Sequence, residues 1–507
     1  MGRWNSEYED DDNAPLLGGE MSKEVSDGLD VTAKIKLKGT MYGKANGLSW
    51  FTTALFIVAD MAGGGVVAIP IAMLQSGGFA GGIVITIICV AFCYTAHILG
   101  ENWVTMCERW PEYREHCRKP YPEMAYRSMG PTARRLTSLT LNVMLFGVSV
   151  VYLLLSSKII NDFVTTLTGV NMGFCVMLLL VAGVLLPVTW LKSPQDFWAA
   201  VVVAMLTTAI SVILILIGTI QDNPTCAPVA QIPDFEWSSL LLSLGTFMFA
   251  FGGHGVFPTI QHDMKNPKQF TRASITAFFI VAAMYVPITV LGYITYGNSL
   301  QDSIINSVQN ANIQQAANLF IAVHCILTLT IVINPLNQEL EHALRTPHKF
   351  GFQRVLLRTT VMAIIVFMAE SVPNFGPILN LIGGTTVALT SAIMPCLFSL
   401  FLQARDKMDG KDSERNWIEE FKRVIKKTSL WRLWINIFVI VIAIICGVTT
   451  TYTAILDMGG SRFSRPCYLR AFVDTNVELE VLRENPMHCC GPHFNVSRFG
   501  SASEFCV

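Results

Sequence analysis

VADMAGGGVVAIPIAMLQ, residues 58–75, lies inside an apolar run from about Trp50 to Leu74 that is long enough to cross a bilayer. It is unlike an ordinary spanning helix. Asp60 puts a carboxylate at membrane depth, Gly63, Gly64 and Gly65 follow in a row, and Pro70 comes after them. Each glycine weakens a helix by about 1 kcal/mol relative to alanine, and Pro70 lacks the N–H that its turn needs. Unwound backbone at that depth is tolerated only where it is buried in protein or lines a wet cavity. The stretch is therefore expected to be a broken helix whose freed amides and carbonyls hold a small polar ligand near the midplane. A glycine-rich face for close helix packing is the alternative. A second interrupted stretch, GTFMFAFGGHGVFPT at residues 245–259, favours the first reading. Paired breaks in two halves point to an inverted-repeat transporter with its site between them.

Working outward, the 507-residue chain is 52% hydrophobic and 14% charged, too apolar for an ordinary soluble protein. Its mean hydropathy is +0.47. Apolar runs fall at about 50–74, 78–100, 136–160, 172–190, 197–219, 239–258, 273–296, 315–336, 355–372, 376–402 and 431–455. That predicts an all-α polytopic membrane protein with about eleven spans grouped as five, five and one. The transmembrane domain covers 49–457, with repeat 1 at about 49–219, repeat 2 at about 238–403 and an extra helix at about 431–455. Net charge is -1, and the basic residues mark loops instead of forming a nucleic-acid patch. Walker, Rossmann, nucleophile-elbow and zinc-type patterns are lacking in the hydrophobic body, so no enzyme, ATP-driven pump, cofactor or metal is expected.

Residues 1–48 read as a disordered cytoplasmic tail. Within it Asp12, Leu16 and Leu17 of DNAPLL resemble an acidic dileucine sorting signal, which would engage sorting adaptors. That points to an endosomal, lysosomal or vesicular membrane, or to the plasma membrane with recycling. MGRWNS also has the formal pattern for N-myristoylation at Gly2, in a poor context. Loops after the even-numbered spans are basic, as in Lys265, Lys268 and Arg272, whereas 220–238 and 297–312 lack Lys and Arg. The positive-inside rule then sets the N-terminus in the cytosol. An odd number of spans leaves the tail from 458 to 507 lumenal or extracellular. Asn495 of Asn495-Val496-Ser497 is a glycosylation acceptor on that side. Cys226, Cys467, Cys489, Cys490 and Cys506 are candidates for disulfides there, with their pairing open.

Four ordered stretches resemble the amino acid/auxin permeases, a branch of the group sharing the LeuT fold. They are VADMAGGGVVAIPIAMLQSGG, FAFGGHGVFPTIQHDMKNP, VHCILTLTIVINPLNQELE and PNFGPILNLIGGTTVALTSAIMPCLFSL, and the similarity spans about residues 48–455. The resemblance implies a carrier of amino acids or close relatives, driven by protons or by sodium. Asp60 departs from the pattern, whose matching position is commonly small and neutral. A carboxylate there disfavours anionic ligands and favours an amine or a coupling cation.

An amino acid zwitterion needs two complementary ends. A half-helix N-terminus at Gly63, Gly64 and Gly65 offers free amides to its carboxylate. Carbonyls freed around Asp60, Gly252 and Gly253 suit its ammonium or a cation. Tyr152 and Thr386 are placed in the pocket by fold-level analogy alone. Ion coupling is assigned to Asp60 and His254, with His324 and Glu341 as further candidates, since an unperturbed histidine titrates near pH 6.5. A structural histidine bonding a freed carbonyl would look the same at His254. Glu341 is expected at a helix end, paired with Arg358 or Arg345, or solvated. The function expected is secondary active transport of amino acids or related amines by alternating access. An amino-acid-binding sensor or scaffold with little flux is the rival, and a channel would need rings of charge that the spans lack.

Overall fold

The computed structural model describes residues 47–470, apart from 115–116, 118, 171, 191–196, 348–349, 405–416 and 460–466. Asp12, Leu16, Leu17, Asn495, Cys489, Cys490 and Cys506 lie outside the described residues.

Helix α1 (Trp50–Met61) starts where Ser49 accepts a hydrogen bond from the Thr52 amide at 3.1 Å, an N-cap that satisfies one orphan donor. It is followed by α2 (Gly64–Ser76), α3 (Gly78–Arg109), α4 (Pro120–Met129), α5 (Pro131–Thr168), α6 (Phe174–Trp190) and α7 (Phe197–Cys226). Then come α8 (Trp237–Ala250), α9 (Phe257–His262), α10 (Phe270–Tyr296), α11 (Ala311–Ala343) and α12 (Phe352–Ser371). Next, α13 (Phe375–Ile382) runs through a π-helical stretch, Gly383–Ile393, into α14 (Met394–Ala404), before α15 (Trp417–Lys427) and α16 (Leu430–Gly459).

Eight described helices are long and apolar enough to cross a membrane, or nine if α1 and α2 form one span bent by 57°. The shorter apolar helices α6 and α8 stand where the fourth and sixth spans are expected, so length and hydropathy alone do not establish the count of eleven. Phe79, Val184 and Phe279 are 86%, 74% and 75% exposed on outward helix faces. An apolar surface of that kind belongs in lipid. The chain is a multi-pass integral membrane protein.

The expected pair of interrupted helices is present. The first break, Ala62–Gly63, is narrower than the glycine triplet suggests, because Gly64 and Gly65 already belong to α2. The second runs from Phe251 to Val256 and includes Gly253 at φ +157°, a conformation that a side chain strains. Around the breaks, α2 packs on α8 and α1 on α10, while α11 lies along α5 and α7. The ends of the two broken spans are also tied. Leu48 donates to the Asp263 carbonyl and accepts from the Lys265 amide, each at 2.8 Å.

The π-helical stretch was not anticipated. Its neighbours come close to its backbone: a Cβ on Gly447 would meet the Gly384 carbonyl oxygen at 2.7 Å, and one on Gly383 would collide with the Gly245 carbonyl oxygen. Small residues permit such approach between membrane helices. Cys467 pairs with Cys175 at the start of α6, a cysteine that falls within the apolar run at 172–190. Cys226 is disulfide-bonded as well.

Candidate functional site

Asp60 stands in the last turn of α1, immediately before the first break. Its carboxylate faces the second break, since a Cβ on Gly253 would lie 2.5 Å from Asp60 Oδ2. Gly253 is therefore required twice, by its positive φ and by the carboxylate beside it. Among the described residues Asp60 forms neither an ion pair nor a hydrogen bond. A carboxylate that is only partly exposed and has no partner is suited to a cation.

The helices bearing the breaks touch each other directly. A Cβ on Gly65 would sit 2.8 Å from Ala250 Cβ and 3.0 Å from the Tyr285 hydroxyl. That hydroxyl, buried on α10, lies 2.8 Å from the Met61 carbonyl oxygen and 3.1 Å from that of Ala250. Met61 and Ala250 are the last residues of α1 and α8. One O–H donor thus serves the C-terminal ends of both broken helices, donating to one carbonyl at a time. Tyr285→Phe is expected to lower stability by about 1 kcal/mol, the value of one buried hydrogen bond. A thermal unfolding midpoint equal to wild type would show that the hydroxyl ties nothing together.

Gly63 is enclosed by α5 and α11. A Cβ there would collide with the Tyr152 hydroxyl and would lie 2.7 Å from His324 Nε2. Tyr152 also reaches the Gly64 amide. His324 Nδ1 is 3.0 Å from the Ala204 carbonyl oxygen and 2.8 Å from Thr208 Oγ1, while Nε2 is 3.2 Å from Thr328 Oγ1. A ring N–H must donate to the carbonyl, so in the neutral ring Nε2 is the acceptor facing the first break. The residues collected here are Asp60, Gly63, Gly64, Gly65, Gly253, Tyr152 and His324, with Tyr285 added by the structure.

Other candidates lie elsewhere. His254 is fully buried against α3, with Nε2 3.0 Å from the Phe92 carbonyl oxygen and 3.1 Å from Thr95 Oγ1. The rings of Phe92, Phe257 and Phe278 surround it. No contact joins it to Asp60 among the described residues. Thr386 turns its hydroxyl to the Ile382 carbonyl at 3.3 Å. It is Val387, one residue on, that abuts Gly252, 2.6 Å from where a Cβ would be. Glu341 sits far along α11, bonded to Arg358 Nε at 2.6 Å with Arg354 Nε at 3.3 Å. Arg358 was one of the two partners anticipated. The other, Arg345, is exposed beyond the end of α11.

Two half-helices that meet at a carboxylate and a glycine-lined gap define the class: a LeuT-fold membrane transporter. In agreement, a solved structure of MhsT in complex with L-phenylalanine aligns with TM-score 0.50 and 11% identity, covering 81% of this chain and 100% of that one. The profile described as "Transmembrane amino acid transporter protein" matches residues 46–456. The chain belongs to that transmembrane amino acid transporter family. Among its relatives, the amino acid transporter AVT1J of Arabidopsis thaliana is 25% identical over 433 residues, 83% of this chain and 93% of its own. The lysine histidine transporter-like 4 protein of the same plant is 23% identical over 375 residues, 70% of this chain and 81% of its own. These relatives are named as transporters, and the family is not enzymatic.

Proposed function

We propose that this chain is a secondary active transporter that moves amino acids or related amines by alternating access, coupled to protons or sodium. The observation that carries the reading is the unpartnered Asp60 carboxylate set against Gly253, with both helix breaks tied to Tyr285. The α2 N-terminus, with the amides of Gly64 and Gly65, is suited to the substrate carboxylate. Asp60 is suited to its ammonium, or to the coupling ion. The relatives named for amino acids, lysine and histidine among them, support an amine-bearing cargo. His324 adjoins the first break and is the histidine placed to influence the site. His254 is proposed as a fastener between the second break and α3.

The test is an uptake screen across amino acids in proteoliposomes, with proton and sodium gradients imposed separately. Accumulation of at least one amino acid under one gradient is expected. Failure of all of them under both would refute coupled transport.

Orientation follows the basic loops, with the N-terminus cytosolic and the tail around Asn495 lumenal or extracellular. A glycosidase is expected to increase the gel mobility of wild type and leave Asn495→Gln unchanged. A cytosolic tag signal from the C-terminus would reverse the arrangement. Sorting through Asp12, Leu16 and Leu17 to an endosomal, lysosomal or vesicular membrane remains part of the proposal.

A further inference from the structure

A second polar recess lies well away from the helix breaks. It is a cavity of about 250 Å³ lined by Asn161, Asp162, Thr165 and Thr166 near the end of α5, by Asn306, and by Gln314, Gln315 and Asn318 at the start of α11. It stands at the end of α11 opposite the Glu341 cluster. Every lining side chain is polar, which is unusual between two helices of this hydropathy.

Its inventory of donors and acceptors is lopsided. Asn318 is 1% exposed, and its Oδ1 is buried without a hydrogen-bond partner. The same holds for Asn161 Oδ1, Thr165 Oγ1 and Gln315 Oε1. Asp162 adds a carboxylate that accepts from Asn306 Nδ2 at 3.2 Å and from the Asn161 side chain; the Lys158 charge acts on it, without an ion pair between them among the described residues. Lys158, one turn earlier on α5, lies 5.7 Å from the ring of Phe375 and does not line the recess. Four orphaned oxygens and a carboxylate therefore belong to side chains lining one recess, whereas buried polar atoms are ordinarily satisfied.

We propose that this recess binds a small monovalent cation through its oxygens. Oxygen ligands select hard cations or N–H donors. A divalent ion draws on several carboxylates or on a His and Cys cluster, and only one carboxylate lines this recess. The two sources of such charge are a sodium ion and the ammonium group of an amine. By the proposed topology the recess opens on the non-cytosolic side, ahead of the helix breaks. It does not depend on the transport reading, because the test measures binding, not flux.

The test is the thermal unfolding midpoint of the purified full-length chain. Sodium chloride and methylammonium chloride are titrated separately against choline chloride at constant ionic strength; choline carries charge but no N–H and is too bulky. A cation that binds the folded state raises the midpoint saturably. Wild type and Asp60→Asn are both expected to show this rise with sodium or with methylammonium, and the effective salt identifies the ligand. In the Asp60→Asn background, Asp162→Asn should abolish it. Asn318→Asp, which adds a second carboxylate, should lower the half-saturating concentration several-fold. Absence of cation dependence in wild type, or its survival in the double variant Asp60→Asn with Asp162→Asn, overturns the proposal. Loss in Asp60→Asn with retention in Asp162→Asn assigns the cation to the helix breaks and equally overturns it. Should Asp162→Asn fail to fold, an unchanged half-saturation in Asn318→Asp decides against the site.

Discussion

Asp60→Asn is expected to abolish substrate accumulation against a gradient while the chain still folds. The substitution keeps the shape of the side chain and removes the charge. Asp60 has no partner among the described residues, so no internal ion pair is broken by the change. What is lost is the group that faces Gly253 across the two breaks. A hydrogen bond to a charged group is worth about 1.5–3 kcal/mol, which corresponds to a roughly tenfold to hundredfold loss of uptake rate. Initial uptake by reconstituted protein, with the unfolding midpoint measured alongside, checks both halves of the expectation. Wild-type accumulation by Asp60→Asn would remove the carboxylate from the mechanism and shift attention to His324, which faces the first break from the other side.

Glu341→Gln is expected to have the largest effect on stability. Glu341, Arg354 and Arg358 are all buried, at 3%, 4% and 1% exposure, and Arg358 also donates to the Thr189 carbonyl oxygen at 2.5 Å. One carboxylate shared by two guanidiniums fastens α11, α12 and α6 together at one end of the bundle. Removing one partner of a buried ion pair typically costs about 3–5 kcal/mol, because the remaining charge stays buried. Glu341→Gln should therefore unfold markedly earlier than wild type, and the double variant Glu341→Gln with Arg358→Met should recover part of the loss. If the single variant unfolds with wild type, the cluster is solvated in the membrane-embedded protein and fastens nothing. Substrate accumulation by the folded fraction of the single variant separates this structural role from the ion coupling expected for Glu341 on the sequence.

The two breaks could be read from the chain because they are written in composition. Three consecutive glycines after Asp60, and three among four residues around His254, stand out in runs that should otherwise be helix. Tyr285 could not be found that way. It is one tyrosine in an apolar span, and only the approach of Met61 and Ala250 gives its hydroxyl a role. The direction of a ring is equally unreadable, so His254 was drawn to the site by its neighbours while the fold turns it to Phe92 and Thr95. A one-residue phase difference in span ten puts Val387 where Thr386 was expected. Beside the π-helical stretch Gly245 and Gly447 approach the backbone closely, a contact between distant segments that no local pattern records. Cys175 and Cys467 are 292 residues apart, and the hydropathy that placed Cys175 in a span concealed its place at the start of a helix.

In the proposed mechanism the paired breaks form a carrier site and not a sensor's binding pocket. Counting turnovers tests it most directly: labelled substrate is followed into proteoliposomes containing a known amount of protein, with and without an ionophore that collapses the driving gradient. Coupled transport predicts uptake well beyond one substrate per protein, accumulation above the external concentration, and release when the gradient is collapsed. Uptake that saturates at one equivalent per protein and ignores the ionophore would contradict it, and would leave a protein that binds an amino acid without carrying it.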